Sequence, residues 1–192
     1  KGIAGVRFEE RVQEIIDEGT AIAPPLQIQL EMLRMIKQKI DELDELVLDH
    51  AYACQKCRIL MSIPGVGPMT AANFVLAVYD ADRFEKSKSV GAYFGLTPRR
   101  RQSGEMDYNG RISKRGDRVI RHQLYEAANS ILTRVKQPSS LQAWGLRIAK
   151  RSGMKKARIA VARKLAVIMH QMLQTGELFC FNPATGERAL YA

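Results

Sequence analysis

Cysteine is scarce in this chain: three residues, Cys54, Cys57 and Cys180, in 192. That is too few for the disulfide framework that staples small secreted domains, and it fits a reducing compartment, so a cytoplasmic location is expected. Long apolar runs are missing too. None reaches the roughly 18 to 20 residues that a membrane-spanning helix needs, so a membrane is not an expected partner. The chain opens on Lys1 rather than Met and shows no charged-then-apolar leader. It therefore reads as a fragment of a longer protein, without a secretory signal.

Acidic residues are thin in one part only. Residues 1–60 hold 8 Lys and Arg against 11 Asp and Glu, whereas residues 61–192 hold 22 against 9. The net charge of +10 belongs wholly to the second part. A polyanion is the natural partner of such a surface, because neutralising phosphates releases their counterions. The bland alternative is a merely basic, soluble surface. The acids of the second part are scattered, and the close pair Asp80 and Asp82 ends a helix, so no cluster able to hold two magnesium ions is expected. Cys54 and Cys57 form a C-x-x-C with His50 one helical turn earlier. With no second Cys or His pair to complete a zinc site, core packing is the expected role. His122 and His170 lie on expected helices without matching ligands and read as structural. No metal and no cofactor is therefore expected in this chain.

The helical patterns are strong. Residues 7–18 predict a short helix closed by Gly19, and Pro24-Pro25 restarts the chain. From Leu26 to Leu60 there is neither Gly nor Pro. Leu26, Leu30, Leu33, Ile36, Ile40, Leu43 and Val47 recur at alternating steps of three and four, the seam of a coiled coil, on a helix of roughly 50 Å. Such a helix is expected to pack on its neighbour or on a second copy of the chain. An ordinary bundle helix is the alternative. Residues 61–95 predict compact helix with two interruptions, and residues 96–116 a Gly-, Pro-, Arg- and Ser-rich loop with one small hairpin around Met106–Ile112. Helices follow from Asp117 to about Lys136, Ser140 to Arg151 and Lys155 to about Thr175. The expected class is mainly all-α. Residues 1–60 form a coiled-coil linker or assembly segment, 61–178 a helical domain and 179–192 an irregular tail.

Three motifs carry chemistry. The first is Ile63-Pro64-Gly65-Val66-Gly67-Pro68-Met69-Thr70-Ala71. Two glycines permit a tight turn between helices, with Val66 turned to the core. The amides at the start of the next helix can then receive an anion such as a DNA phosphate, without reading a base. Gly65, Gly67 and Thr70 are the candidate clamp. The pattern resembles the helix-hairpin-helix of DNA repair and recombination proteins, with a plain helical turn as the alternative. The second is Leu96-Thr97-Pro98-Arg99-Arg100-Arg101-Gln102-Ser103-Gly104. Guanidinium forks grip phosphate oxygens, and a hydroxyl beside them can attack phosphorus. From the residues alone, Ser103 is either that nucleophile or an incidental serine in a solvated basic loop. Ser113-Lys114-Arg115-Gly116-Asp117 adds the phosphate candidates Lys114 and Arg115, and a rival serine better suited to a turn. The third is the run from Arg147 to Lys164, with eight basic residues and no acid. It predicts a basic amphipathic surface, with Trp144 just upstream as a core anchor.

SIPGVGPMTA, RFEKSKSVGAYFGLTPRRRQSGE, GRISKRGDRVIRHQLYEAA and AWGLRIAKRSGMKKARIAVARKLA, in that order, resemble the C-terminal transposase module of the IS110 insertion-sequence family, DEDD-type recombinases guided by a bridge RNA. The resemblance covers roughly residues 55–175, and the preceding segment resembles the family's interdomain linker. It implies transposition and DNA recombination in the bacterial cytoplasm, in association with the nucleoid. It implies a serine nucleophile, here Ser103, in a composite active site. The other half of that site would be a RuvC-like domain with four magnesium-binding acids, absent from this chain, so the fragment alone is expected to be inactive. The implied partners are DNA, a bridge RNA and further copies joined through the coiled coil. A non-catalytic DNA-binding module and a purely structural assembly domain are the alternatives.

Overall fold

The computed structural model describes residues 6–103 and 106–188; for 6, 100–103 and 106–109 it describes the backbone alone. The chain divides into two compact units between Leu46 and Val47. The sequence pattern suggested a boundary near residue 60. The observed one falls earlier, within a continuous helix that no Gly or Pro interrupts.

The first unit holds α1 (Val6–Asp17) and most of α2 (Ala23–Ala53). Glu9 of α1 accepts hydrogen bonds from Lys37 and from Arg34 of α2, the latter at 3.3 Å. The seam on α2 is covered unevenly. Leu30 is buried, whereas Ile36, Ile40 and Leu43 are half or more exposed. The helix is also shorter than its uninterrupted sequence suggests. It ends at Ala53, and α3 (Gln55–Met61) begins after an extended Cys54 at φ −78°, ψ 117°.

The second unit is built around α8 (Met154–Thr175), which packs against α3, α5 (Lys88–Tyr93), α6 (Arg118–Thr133) and α7 (Ser140–Ser152). Ala157, Val161, Ala162, Leu165, Ala166, Met169 and Met172 of α8 are all buried, at helical steps of three, four and one. Each large one contributes about 1.5 to 3 kcal/mol by leaving water, and the alanines let neighbouring helices close in. Gly145 of α7 marks a close crossing. A Cβ there would lie 2.5 Å from Val161 Cγ2 and 2.7 Å from Leu132 Cδ2.

Helix ends follow the sequence closely. Asp117 Oδ1 accepts from the amides of Val119 (2.6 Å) and Ile120 (3.1 Å), and Ser139 Oγ accepts from Gln142 N (3.1 Å). Both are side-chain N-caps, satisfying amides that the helix itself cannot. Gly176 closes α8 in the left-handed region at φ +71°. His170, fully buried, is structural as expected. Its Nε2 donates to the Ala81 carbonyl at 2.8 Å, and its Nδ1 lies 3.0 Å from Ser87 Oγ.

Two regions differ from the sequence reading. The arginine–serine segment is not a loop but strand β1 (Pro98–Ser103), paired antiparallel with β2 (Met106–Ile112). The tail is not irregular: β3 (Cys180–Asn182) pairs with β4 (Glu187–Arg188), and Phe179 and Phe181 are buried beside it. Among the described helices, none is long and apolar enough to cross a membrane.

Candidate nucleic-acid interface

Two candidate elements are both braced against α6. The first is the turn between α3 and α4 (Pro68–Val78). Ile63 and Val66 are buried, so the turn is anchored by its apolar residues as the motif predicts. Gly65 has φ +89°, and a Cβ on it would stand 3.1 Å from Ser130 Cβ and 3.3 Å from the Ala127 carbonyl. Glycine is required there both for conformation and for close approach to α6. Gly67 is different. It is extended, at φ −87° and ψ 170°, and nothing lies within 4 Å of where its Cβ would be. Its place is the N-cap of α4, which carries no side-chain capping bond, with Pro68 following. Ala71 N is bonded to Gly67 O at 2.9 Å. The amides of Met69 and Thr70 precede that first helical bond and have no acceptor within the helix. The turn and α6 together border a groove of about 310 Å³ whose lining includes Gly65, Thr70, His122, Glu126, Ser130 and Arg134. Glu126 opposes an anion in that groove, and Arg134 favours one.

The second element is the β1–β2 hairpin. Ser103 pairs with Met106 at the end of the ladder, Gln102 with Asp107, Arg101 with Tyr108 and Arg100 with Asn109. Because strand positions alternate in face, 101 and 103 share one face of the ribbon and 100 and 102 the other. The arginine run is thus split between faces. Gly104 lies outside the described residues, as do the side chains of Arg100, Arg101 and Ser103.

The base of the hairpin is held firmly. Exposed Arg99 donates from Nη2 to the Ser113 carbonyl at 3.1 Å, one of the five N–H donors of its guanidinium. Ser113 N donates to Thr97 O (2.8 Å) and Lys114 N to Gly95 O (3.1 Å). Lys114 sits at φ +56°, an uncommon conformation for a residue with a side chain. It and Arg115 are both exposed. Gly95 and Gly116 interlock the two segments. A Cβ on Gly95 would be 2.1 Å from the Arg115 carbonyl oxygen, and one on Gly116 2.0 Å from that of Tyr93. Arg121 of α6 fastens this junction. Its Nη1 faces the carbonyls of Phe94 (3.2 Å), Arg115 (3.1 Å), Gly116 (3.4 Å) and Asp117 (3.3 Å). Arg121 belongs to none of the three sequence motifs that carry chemistry. Its one available signal was a basic residue in the first turn of a capped helix, just after the Lys114–Arg115 loop.

The candidate residues therefore fall into two groups along one helix. The hairpin base is tied at Arg121 and the clamp turn at Ala127 and Ser130, about 9 to 14 Å farther along the axis. A third surface is the basic part of α7 and α8, where Arg147, Lys150, Arg151, Lys155, Lys156, Arg163 and Lys164 are exposed. Arg158 is turned inward to Tyr125, its Nη1 3.3 Å from the phenolic oxygen. Trp144 is half-buried against the core, with Lys164 Nζ 4.6 Å above its ring, in keeping with an anchor. Among the described residues no group of three or more His, Cys, Asp and Glu could hold a metal ion. The residues described do not fit a magnesium site.

Comparison with known proteins gives this arrangement a family. Residues 57–144, from α3 into α7, match the family model "Transposase IS116/IS110/IS902 family". The chain is 30% identical over 182 residues to the transposase for insertion sequence element IS1111A of Coxiella burnetii, covering 90% of this chain and 49% of that protein. It is 25% identical to an insertion element IS116 protein of Streptomyces clavuligerus, over 93% of this chain and 45% of that one. A pilin gene-inverting protein of Moraxella bovis is 27% identical over 65% of this chain and 38% of its own length. The chain thus spans half or less of these relatives. The clamp turn, the hairpin, α6 and the start of α7 all lie inside the matched stretch, and the chain carries a transposase module of the IS116/IS110/IS902 family.

Proposed function

We propose that this chain serves DNA transposition and recombination, binding nucleic acid and supplying the serine nucleophile of a composite active site. The observation that carries the reading is the placement of Ser103 at the end of a hairpin whose base is locked by Gly95, Gly116 and Arg121, within the stretch that matches the transposase family. A nucleophile must be held close to its productive geometry, and a braced two-stranded arm supports that where a free loop would not. The Ser103 Oγ–P bond forms as the bond from phosphorus to the leaving strand breaks, and the serine proton passes to a base. Arg101, on the same ribbon face as Ser103, steadies the phosphate, and Arg100, on the other face, adds to the cationic surface of the arm. Lys114 and Arg115 extend the cationic surface at the hairpin base. The amides at the start of α4, with Gly65, Gly67 and Thr70, clamp a second phosphate.

The remaining machinery belongs to the fuller reading of the family resemblance: magnesium-binding acids of a RuvC-like domain outside this chain, a bridge RNA as guide and assembly through α2. The exposed Ile36, Ile40 and Leu43 support that assembly, because water-facing apolar seams favour helix pairing.

The test is Ser103→Ala in the full-length transposase. Strand exchange should be lost and nucleic-acid binding retained, with a covalent protein–DNA adduct trapped only when the serine is present. Undiminished recombination by the variant overturns the assignment. Binding to DNA or RNA should weaken steeply as salt rises, as phosphate contacts require. Salt-independent binding would favour a purely structural domain.

A further inference from the structure

One motif has no part in the strand chemistry, the basic corner where α7 gives way to α8. Residues 127–176 hold ten Lys and Arg and no Asp or Glu. Arg158 is turned inward, but Arg147, Lys150 and Arg151 of α7 and Lys155, Lys156 and Arg163 of α8 are all exposed. Only Ser152, Gly153 and Met154 separate the two groups, so four cations crowd the junction.

Three observations set this corner apart from an ordinary solvated face. The first is pairing. In the first unit Arg11, Arg34, Lys37 and Lys39 are each held by a glutamate. Among the described residues none of the six cations of the corner is in an ion pair. The second is position. Lys150 and Arg151 suit the negative end of α7, but Lys155 and Lys156 are the second and third residues of α8, where the helix dipole opposes positive charge. Arg147 and Arg151 stand four apart on one helix, a like-charge spacing that also works against it. The fold gains little from this arrangement, and an external anion relieves it. The third is the lack of an open ring. Trp144 is the one aromatic residue between 127 and 176. It is half-buried, with Lys164 Nζ 4.6 Å above its ring.

We propose that the α7–α8 corner docks the sugar–phosphate backbone of duplex DNA, outside the bonds being exchanged. The choice of DNA rests on the recombination reading above. A single strand is gripped through stacked bases as well as phosphates, and the corner offers cations alone. Such contacts position a duplex without reading its sequence. Lys156 and Arg163 lie two turns apart on one face of α8, roughly 10 Å along the axis. Gly91 of α5 makes room for the Arg163 stem: a Cβ there would stand 2.9 Å from Arg163 Cγ.

The experiment measures anisotropy of a labelled, mixed-sequence duplex DNA against salt, for the 192-residue chain and for a variant carrying Lys150→Gln, Arg151→Gln, Lys155→Gln and Lys156→Gln. Each neutralised phosphate steepens the fall of log affinity with log salt by about 0.9, so the variant's slope should be shallower by about 2 to 4, with affinity at low salt down about tenfold or more. A slope equal to the wild type's overturns the docking surface and leaves the Ser103 assignment standing. A loss confined to single strands, or to an RNA duplex, overturns it as well. Should the variant not fold, lysine acetylation of the wild type decides. Duplex DNA should shield Lys150, Lys155 and Lys156, and equal acetylation with and without DNA refutes the proposal. Full recombination by Ser103→Ala would remove the nucleophile without touching the slope difference.

Discussion

Arg121 reaches from the first turn of α6 to the carbonyl of Phe94, 3.2 Å away, at the end of α5. The contact is made by a charged donor at a half-buried site, with three further carbonyls of residues 115–117 around the same nitrogen. Charge-assisted bonds of this kind contribute about 1.5 to 3 kcal/mol each at most, and bonds sharing one nitrogen do not add. Replacing Arg121 with Ala should therefore lower unfolding free energy by about 1 to 3 kcal/mol, measured by urea titration of the chain. In the full-length protein, the same variant should reduce strand exchange by more than it reduces DNA affinity. Equal losses in both would mean that Arg121 acts through stability alone.

The glycines of the two candidate elements should separate cleanly. Gly116→Ala drives a methyl to 2.0 Å from the Tyr93 carbonyl oxygen at φ +80°, and should cost more than about 2 kcal/mol or prevent folding. Gly67→Ala meets open space at φ −87°, and should change stability by under about 1 kcal/mol. Thermal melts of the two variants side by side measure the difference, and a folded Gly67→Ala protein is then available for binding assays.

His170→Ala should be severe. It empties a fully buried site and leaves the Ala81 carbonyl short of its partner. A loss of about 2 to 4 kcal/mol is expected from the cavity and the unpaired carbonyl together. Asp117→Ala, which removes one helix cap, should cost only about 1 kcal/mol. Denaturant midpoints rank the pair.

In the first unit, the side-chain hydrogen bond from Lys37, then that from Arg34, holds the Glu9 carboxyl below its ordinary 4.5. A depressed carboxylate value means that the α1–α2 link is intact above pH 4.5 and is lost as pH falls through the lower folded value. Carbon-detected NMR titration should place the Glu9 midpoint under 4.5, and Glu9→Gln should abolish the acid-dependent change in neighbouring α1 signals.

Much of this fold could be read from side-chain patterning. Asp117, Ser139 and Gly176 mark helix ends in sequence and in structure alike, because capping is local chemistry. The β1 ladder was obscured by composition. Pro98, three arginines and Ser103 carry none of the β-branched or aromatic enrichment of strands, and their order comes from pairing with Met106–Ile112. Cys54 interrupts a stretch without Gly or Pro, so no residue type announces the break. The tail did carry a signal, the alternation of Phe179 and Phe181 around Cys180. Of the candidate site, Gly65 was legible because its turn is local. Arg121, Gly95 and Gly116 matter only once distant segments meet.

The path along α6 from Arg121 to Ser130 sets a fixed phase between the hairpin and the clamp turn. One residue added or deleted between these positions would swivel one attachment by about 100° around the axis relative to the other. Among natural variants of this module, α6 should therefore tolerate broad substitution on its outer surface while its residue count in this interval stays constant. The helix acts as a spacer whose length is heritable even where its letters are not.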